Sequence, residues 1–131
     1  MNSGQRADAM LCDILIRGGE VIDPSQDLRG VRDVAIAGGR ILAIEESLAS
    51  AEPTFTVDAR GLLVVPGLID LHVHVYPHHM PLGLEADPLC PAGGVTTMLD
   101  AGSAGSRNFA GFRRDVIDRI DTQVFGLVNL A

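Results

Sequence analysis

Pro66-Gly67-Leu68-Ile69-Asp70-Leu71-His72-Val73-His74 is the stretch that decides the fold. An apolar run that starts after Pro-Gly and ends in two histidines one residue apart reads as a buried β-strand with a polar tip. Strand side chains alternate between faces, so His72 and His74 project from one side, two steps of about 3.3 Å apart. Two imidazoles at that separation can converge on one metal ion. Asp70 falls on the same face, one layer below.

The chain ahead of this strand reads as hairpins. Residues 13–17 and 20–23 are β-rich segments joined at Gly18-Gly19, a pair suited to a tight turn. Residues 31–37 and 40–44 repeat the pattern around Gly38-Gly39, and residues 54–58 and 62–65 repeat it around Ala59-Arg60-Gly61. Six short strands at this spacing predict a small sheet or sandwich. The polar, alanine-rich residues 45–53 predict a loop.

After Pro66 the grammar changes. Residues 68–75 suit a parallel strand buried on both faces. Residues 83–92 form a short helix candidate weakened by Pro88 and Pro91, and residues 95–100 read as a second strand. Asn108 is placed to cap a helix over 109–120, where Phe109, Phe112, Val116, Ile117 and Ile120 trace an apolar stripe. Residues 123–130 read as a third strand. Strand, crossover, strand, helix, strand is the grammar of a parallel α/β fold, and its junction with the all-β part falls at Pro66-Gly67.

Composition narrows the class. The chain has 131 residues, 47% of them hydrophobic, and a net charge of −7. That charge argues against nucleic acid or an anionic membrane as partner. The start has no apolar stretch behind a basic region, so no signal peptide is expected. Apolar runs are broken by Pro66 or Gly94, far short of the roughly 20 residues of a membrane helix. Cys12 and Cys90 are isolated thiols without CxxC spacing, and read as reduced, buried cysteines of a cytoplasmic protein.

In parallel β/α barrels the active site lies at the carboxyl ends of the strands. His72 and His74 occupy that end, where a metal and a small-molecule substrate would be reached from solvent. Asp70 could orient a ligand through a hydrogen bond, or serve as a structural carboxylate in the floor. Asp100 ends the second strand and opens Asp100-Ala101-Gly102-Ser103. There a glycine lets backbone approach a ligand, or simply makes a turn, and Ser103 offers a hydroxyl. His78 and His79 follow Pro77 and are expected to meet solvent or loop.

Asp58-Ala59-Arg60-Gly61 followed by Val64-Val65-Pro66-Gly67-Leu68-Ile69-Asp70-Leu71-His72-Val73-His74 resembles the signature of the amidohydrolase superfamily. The stretch Gly94-Val95-Thr96-Thr97-Met98-Leu99-Asp100-Ala101-Gly102-Ser103-Ala104-Gly105 is similar to its dihydroorotase-like amidohydrolase/deacetylase group. The resemblance implies an α/β fold with an all-β flank. Residues 1–65 would be a β-sandwich portion, and residues 66–131 the first three β/α units of a truncated (β/α)8 TIM barrel. It implies a hydrolase of carbon–nitrogen bonds other than peptide bonds, with one or two divalent ions, zinc in the first instance. His72 and His74 would be ligands, and Asp70 would stand behind them. Tyr76, Asp100, Gly102 and Ser103 would belong to the substrate loops. The remaining parts of such a site are a carboxylated lysine, two further histidines and a proton-shuttling aspartate, all from later strands. A complete barrel needs about 250 residues. The chain is therefore expected to be the front of a longer protein, inactive alone and homo-oligomeric at full length.

One departure bears on the substrate. Dihydroorotases resemble His-x-His-x-Arg, with the arginine on a substrate carboxylate, and Tyr76 stands at that position. A phenol cannot make the bidentate charged contact of a guanidinium. The reading that follows is hydrolysis of an amide or ester bond in a small acylated compound. A cyclic-amide hydrolase of dihydroorotase or hydantoinase type, and a non-catalytic interaction module, are the alternatives.

Overall fold

The computed structural model describes residues 9–130, and the chain divides into two units, one ending at Pro66 and the next beginning at Gly67. In the first unit, β1 (Met10–Asp23), β2 (Leu28–Ala37), β3 (Arg40–Glu45), β4 (Ala51–Asp58) and β5 (Leu63–Val64) form one mixed sheet. Its order is β3-β2-β1-β4, with β5 also paired to β1. The β1/β2 and β2/β3 pairs are antiparallel, whereas β4 and β5 run parallel to β1.

The hairpin at Gly38-Gly39 is present, both glycines having the positive φ that a tight primed turn requires. The hairpin expected at Gly18-Gly19 is not. There β1 continues as a single strand of 14 residues, with a bulge between Ile16 and Gly19. The cause is Asp33, a buried carboxylate whose Oδ1 accepts the Gly18 N–H at 2.9 Å and whose Oδ2 accepts the Leu48 N–H at 3.0 Å. Gly18 turns its amide toward Asp33 at φ +70°, which a residue without Cβ does at little cost. The chain reverses instead at a 3-10 turn, Pro24–Gln26, where Asp23 Oδ1 accepts the Ser25 N–H at 2.9 Å.

The third expected hairpin is also replaced. β4 and β5 do not pair with each other but take successive stretches of β1, so the described strands of this unit form a single sheet. Cys12, Leu15, Ala35 and Leu48 pack together as its core, Leu48 arriving from the expected loop.

In the second unit, β6 (Leu68–Val73), β7 (Val95–Gly105) and β8 (Gln123–Asn129) form a parallel sheet in the order β6-β7-β8. The first crossover carries α1 (Ala86–Leu89) and a 3-10 turn, Pro91–Gly93. The second carries α2 (Phe109–Phe112), which widens into a π-helical turn, Arg113–Ile117. The expected apolar stripe packs as a unit: Phe112 and Val116 are buried with Val75, Tyr76, Met98 and Val124, and Phe109, Ile117 and Ile120 lean against them. Asn108 stands at the helix start, but its Oδ1 accepts the Gly105 N–H at 2.8 Å, closing the turn behind it instead of capping the helix.

Burial of β6 on both faces is not observed. Leu68, Ile69 and Leu71 are 51%, 62% and 70% exposed. The strand is an edge with β7 beside it, and the helical segments pack chiefly over β7 and β8. No helix among the described residues is long and apolar enough to cross a membrane.

Candidate metal centre

β6 ends at Val73, and His74 is the first residue beyond it. The imidazoles of His72 and His74 are neighbours, with centroids 5.6 Å apart and planes at 84°, an edge-to-face pair. The His72 residue is exposed and His74 is half-buried. His74 Nδ1 lies 2.9 Å from Ser103 Oγ, a hydrogen bond that reaches across to the carboxyl end of β7.

Asp100 organises this end of the sheet. It is fully buried, its Oδ2 accepts the Val75 N–H at 2.8 Å, and its Oδ1 accepts the N–H groups of Gly102 and Ser103 at 3.1 and 2.7 Å. One carboxylate therefore ties the residue after His74 to the turn that presents Ser103. Both oxygens are engaged by backbone, so Asp100 and Gly102 sit in the frame of the site. Asp70 braces the chain: its Oδ1 accepts the His72 backbone N–H at 3.0 Å, a bond to main chain and not to an imidazole.

Tyr76 lies in the core and not at a loop surface. It is 3% exposed, stacked on His79 with centroids 4.1 Å apart, and 4.9 Å from the Phe112 ring. His78 takes a left-handed backbone at φ +65° and is exposed.

The donor chemistry suits a divalent ion to the extent of two imidazoles. Among the described residues, no third His, Cys, Asp or Glu gathers with them. A catalytic zinc site takes three protein ligands and an open position, so His72 and His74 would supply two of them.

Sequence reading missed two links: the Asp100–Val75 clamp and the Ser103–His74 pair. Their partners lie 25 and 29 positions apart. The local half was legible, since Asp-x-Gly-Ser is a turn whose carboxylate captures the amides that follow. The distant half depends on the register of β6 with β7, in which Val73 pairs with Asp100.

No family model matches the chain. A deacetylase of Agrobacterium fabrum is 36% identical over 99 residues, which is 75% of this chain and 24% of that protein. A dihydroorotase of Citrifermentans bemidjiense is 52% identical over 63 residues, which is 48% of this chain and 15% of that protein. Among solved structures, a dihydroorotase superposes with a TM-score of 0.73 at 31% identity, over 89% of this chain and 31% of its own. A D-aminoacylase described with a binuclear metal centre superposes with a TM-score of 0.53 at 31% identity, over 68% of this chain and 18% of its own. The chain thus spans a quarter or less of the two curated relatives. Likeness in sequence to deacetylases and dihydroorotases agrees with likeness in fold to a dihydroorotase, and the chain belongs to the amidohydrolase superfamily.

Proposed function

We propose that this chain contributes the first two ligands of a metal-dependent amidohydrolase acting on an amide or ester bond of a small acylated compound. The observation that carries the reading is the edge-to-face pair of His72 and His74 at the carboxyl end of β6. The binuclear centre named for the D-aminoacylase of similar fold supports the metal. A divalent ion held there, zinc in this reading, supplies Lewis acidity to a carbonyl and lowers the pKa of water. The chain's own residues do the positioning. Asp70 holds the backbone at His72, Ser103 meets the His74 ring, and Asp100 locks the two strand ends together.

A cyclic-amide hydrolase is the second reading, favoured by the 52% identity to a dihydroorotase. The deacetylase reading ranks first because Tyr76 is packed in the core and offers no cation to a substrate carboxylate.

Metal content and hydrolysis of N-acyl, O-acyl and cyclic amide substrates, measured on the intact protein and its His72→Ala and His74→Ala variants, test both. Loss of metal and of turnover in both variants is expected, with N-acyl or O-acyl substrates preferred. Wild-type metal content and turnover in the variants would overturn the metal reading. Efficient ring opening of a cyclic amide, unmatched on acyl substrates, would reverse the ranking.

A further inference from the structure

A neutral imidazole carries one proton, and whichever nitrogen holds it cannot ligate a metal. His74 meets a single hydroxyl, at Nδ1, and that hydroxyl can act as donor or acceptor. The surroundings decide the direction. Ser103 is tied through its own N–H to Asp100 Oδ1 at 2.7 Å, and Asp100 is fully buried. All three hydrogen bonds to its oxygens come from backbone N–H donors, so it acts only as an acceptor, as a carboxylate does. Ser103 Oγ, carried on a backbone that Asp100 pins, is thus the partner the structure gives to Nδ1, while a metal at the His72–His74 pair takes a nitrogen without a proton. The ring meets both demands with its proton on Nδ1, toward the hydroxyl oxygen, and none on Nε2.

We infer that Ser103 is a positioning residue that accepts a hydrogen bond from His74 Nδ1–H, fixing the tautomer and ring rotation that leave Nε2 free to ligate. The consequence for ligation rests on the metal-site reading above, whereas the tautomer is a property of the metal-free protein. The arrangement also explains why the carboxyl end of β7 is pinned so closely. Asp100 holds the Val75 and Ser103 amides together, so the hydroxyl and the ring it orients are set by one group.

The test is made on the intact, metal-free protein with nitrogen-15 in its histidines. Long-range nitrogen–proton correlation spectra, recorded at mildly alkaline pH where imidazole is neutral, report which His74 nitrogen carries the proton. Ser103→Ala and Ser103→Thr are compared with wild type, and each is then titrated with zinc alone. In wild type and Ser103→Thr, His74 is expected as the Nδ1–H tautomer. Ser103→Ala is expected to show a mixture and to bind zinc about 10- to 100-fold more weakly, the usual effect of removing a group that orients a metal-binding histidine.

A wild-type His74 in the Nε2–H form would overturn the inference, even if Ser103→Ala does not fold. An unchanged tautomer in Ser103→Ala would overturn it as well. A Ser103-dependent Nδ1–H tautomer in a protein that takes up no zinc would sustain it and overturn the metal-site reading instead.

Discussion

Asp100 Oδ2 accepts the Val75 N–H across 2.8 Å, joining residues 25 positions apart at the open ends of two parallel strands. The same carboxylate accepts two further amides. Removing it strands one buried and two half-buried donors, and a buried group left unpaired costs its full desolvation penalty. Asp100→Ala is expected to destabilise the protein by about 3 kcal/mol, given about 1.5–3 kcal/mol for a hydrogen bond to a charged group and incomplete additivity. The urea midpoint at constant slope reports this. A loss below about 1 kcal/mol would mean that water replaces the carboxylate at low cost.

Gly83 holds the chain against the segment that follows His74. A Cβ built there would collide with the Tyr76 carbonyl oxygen and lie 2.7 Å from its carbon, and these are backbone atoms that cannot step aside. The neighbouring Leu84 N–H donates to the His74 carbonyl at 2.9 Å, so the close approach holds the backbone of a candidate ligand. Gly83→Ala is expected to cost about 1–3 kcal/mol through overpacking. Gly93→Ala meets nothing within 4 Å and is expected to change stability by less than about 0.5 kcal/mol. Equal thermal midpoints for the two variants would remove the distinction.

The parallel half of the fold was legible because its signals are local. Pro-Gly opens β6, the apolar run from Val95 lies in β7, and the stripe from Phe109 to Ile120 finds its core. The all-β half misled for a physical reason. Gly18-Gly19 carries the composition of a hairpin turn, but a carboxylate 15 residues away claims the Gly18 amide and converts the turn into a bulge. No local pattern announces Asp33 as that partner. The histidine pair was legible from period-2 spacing, whereas the Ser103 contact depends on a strand register that spacing alone does not specify. The exposed flank of β6 was hidden as well, because an apolar strand reads alike whether or not its chain covers it.

Acid should loosen the second crossover. Asp87, in α1, accepts the Thr122 N–H at 2.9 Å, the Asp121 N–H at 3.1 Å and the Thr122 hydroxyl at 2.8 Å. These bonds, the Thr122 N–H foremost, hold its carboxyl below the ordinary aspartate range. A carboxyl lowered by folding adds stability that is complete above its unfolded value of about 3.9 and is lost as pH falls through the folded value. Stability should therefore drop as pH falls below about 4, and Asp87→Asn should flatten that part of the curve while lowering stability at neutral pH. Circular dichroism melts across the acid range check both. An unaltered acid slope in the variant would show that other carboxyls carry the effect.

Tyr76 is the residue for which the resemblance to dihydroorotases leads one to expect an arginine, and its surroundings bear on that exchange. The ring is 3% exposed, stacked on His79 and packed against Phe112, and its hydroxyl lies close to Gly111. Tyr76→Phe keeps this packing and removes only the hydroxyl, and is expected to cost less than about 1.5 kcal/mol. Tyr76→Arg places a guanidinium against Phe112, where the acid near the present hydroxyl, Asp115, is already paired with Arg114. An uncompensated buried charge costs about 3–5 kcal/mol. The arginine variant is therefore expected to lose stability without gaining affinity for a carboxylate-bearing cyclic amide, because its charge would be buried and not presented. Urea midpoints for the two variants, together with the KM of the intact protein for dihydroorotate, decide the matter. A Tyr76→Arg protein as stable as wild type, with a lowered KM for dihydroorotate, would show that the position opens to substrate and would favour the cyclic-amide reading.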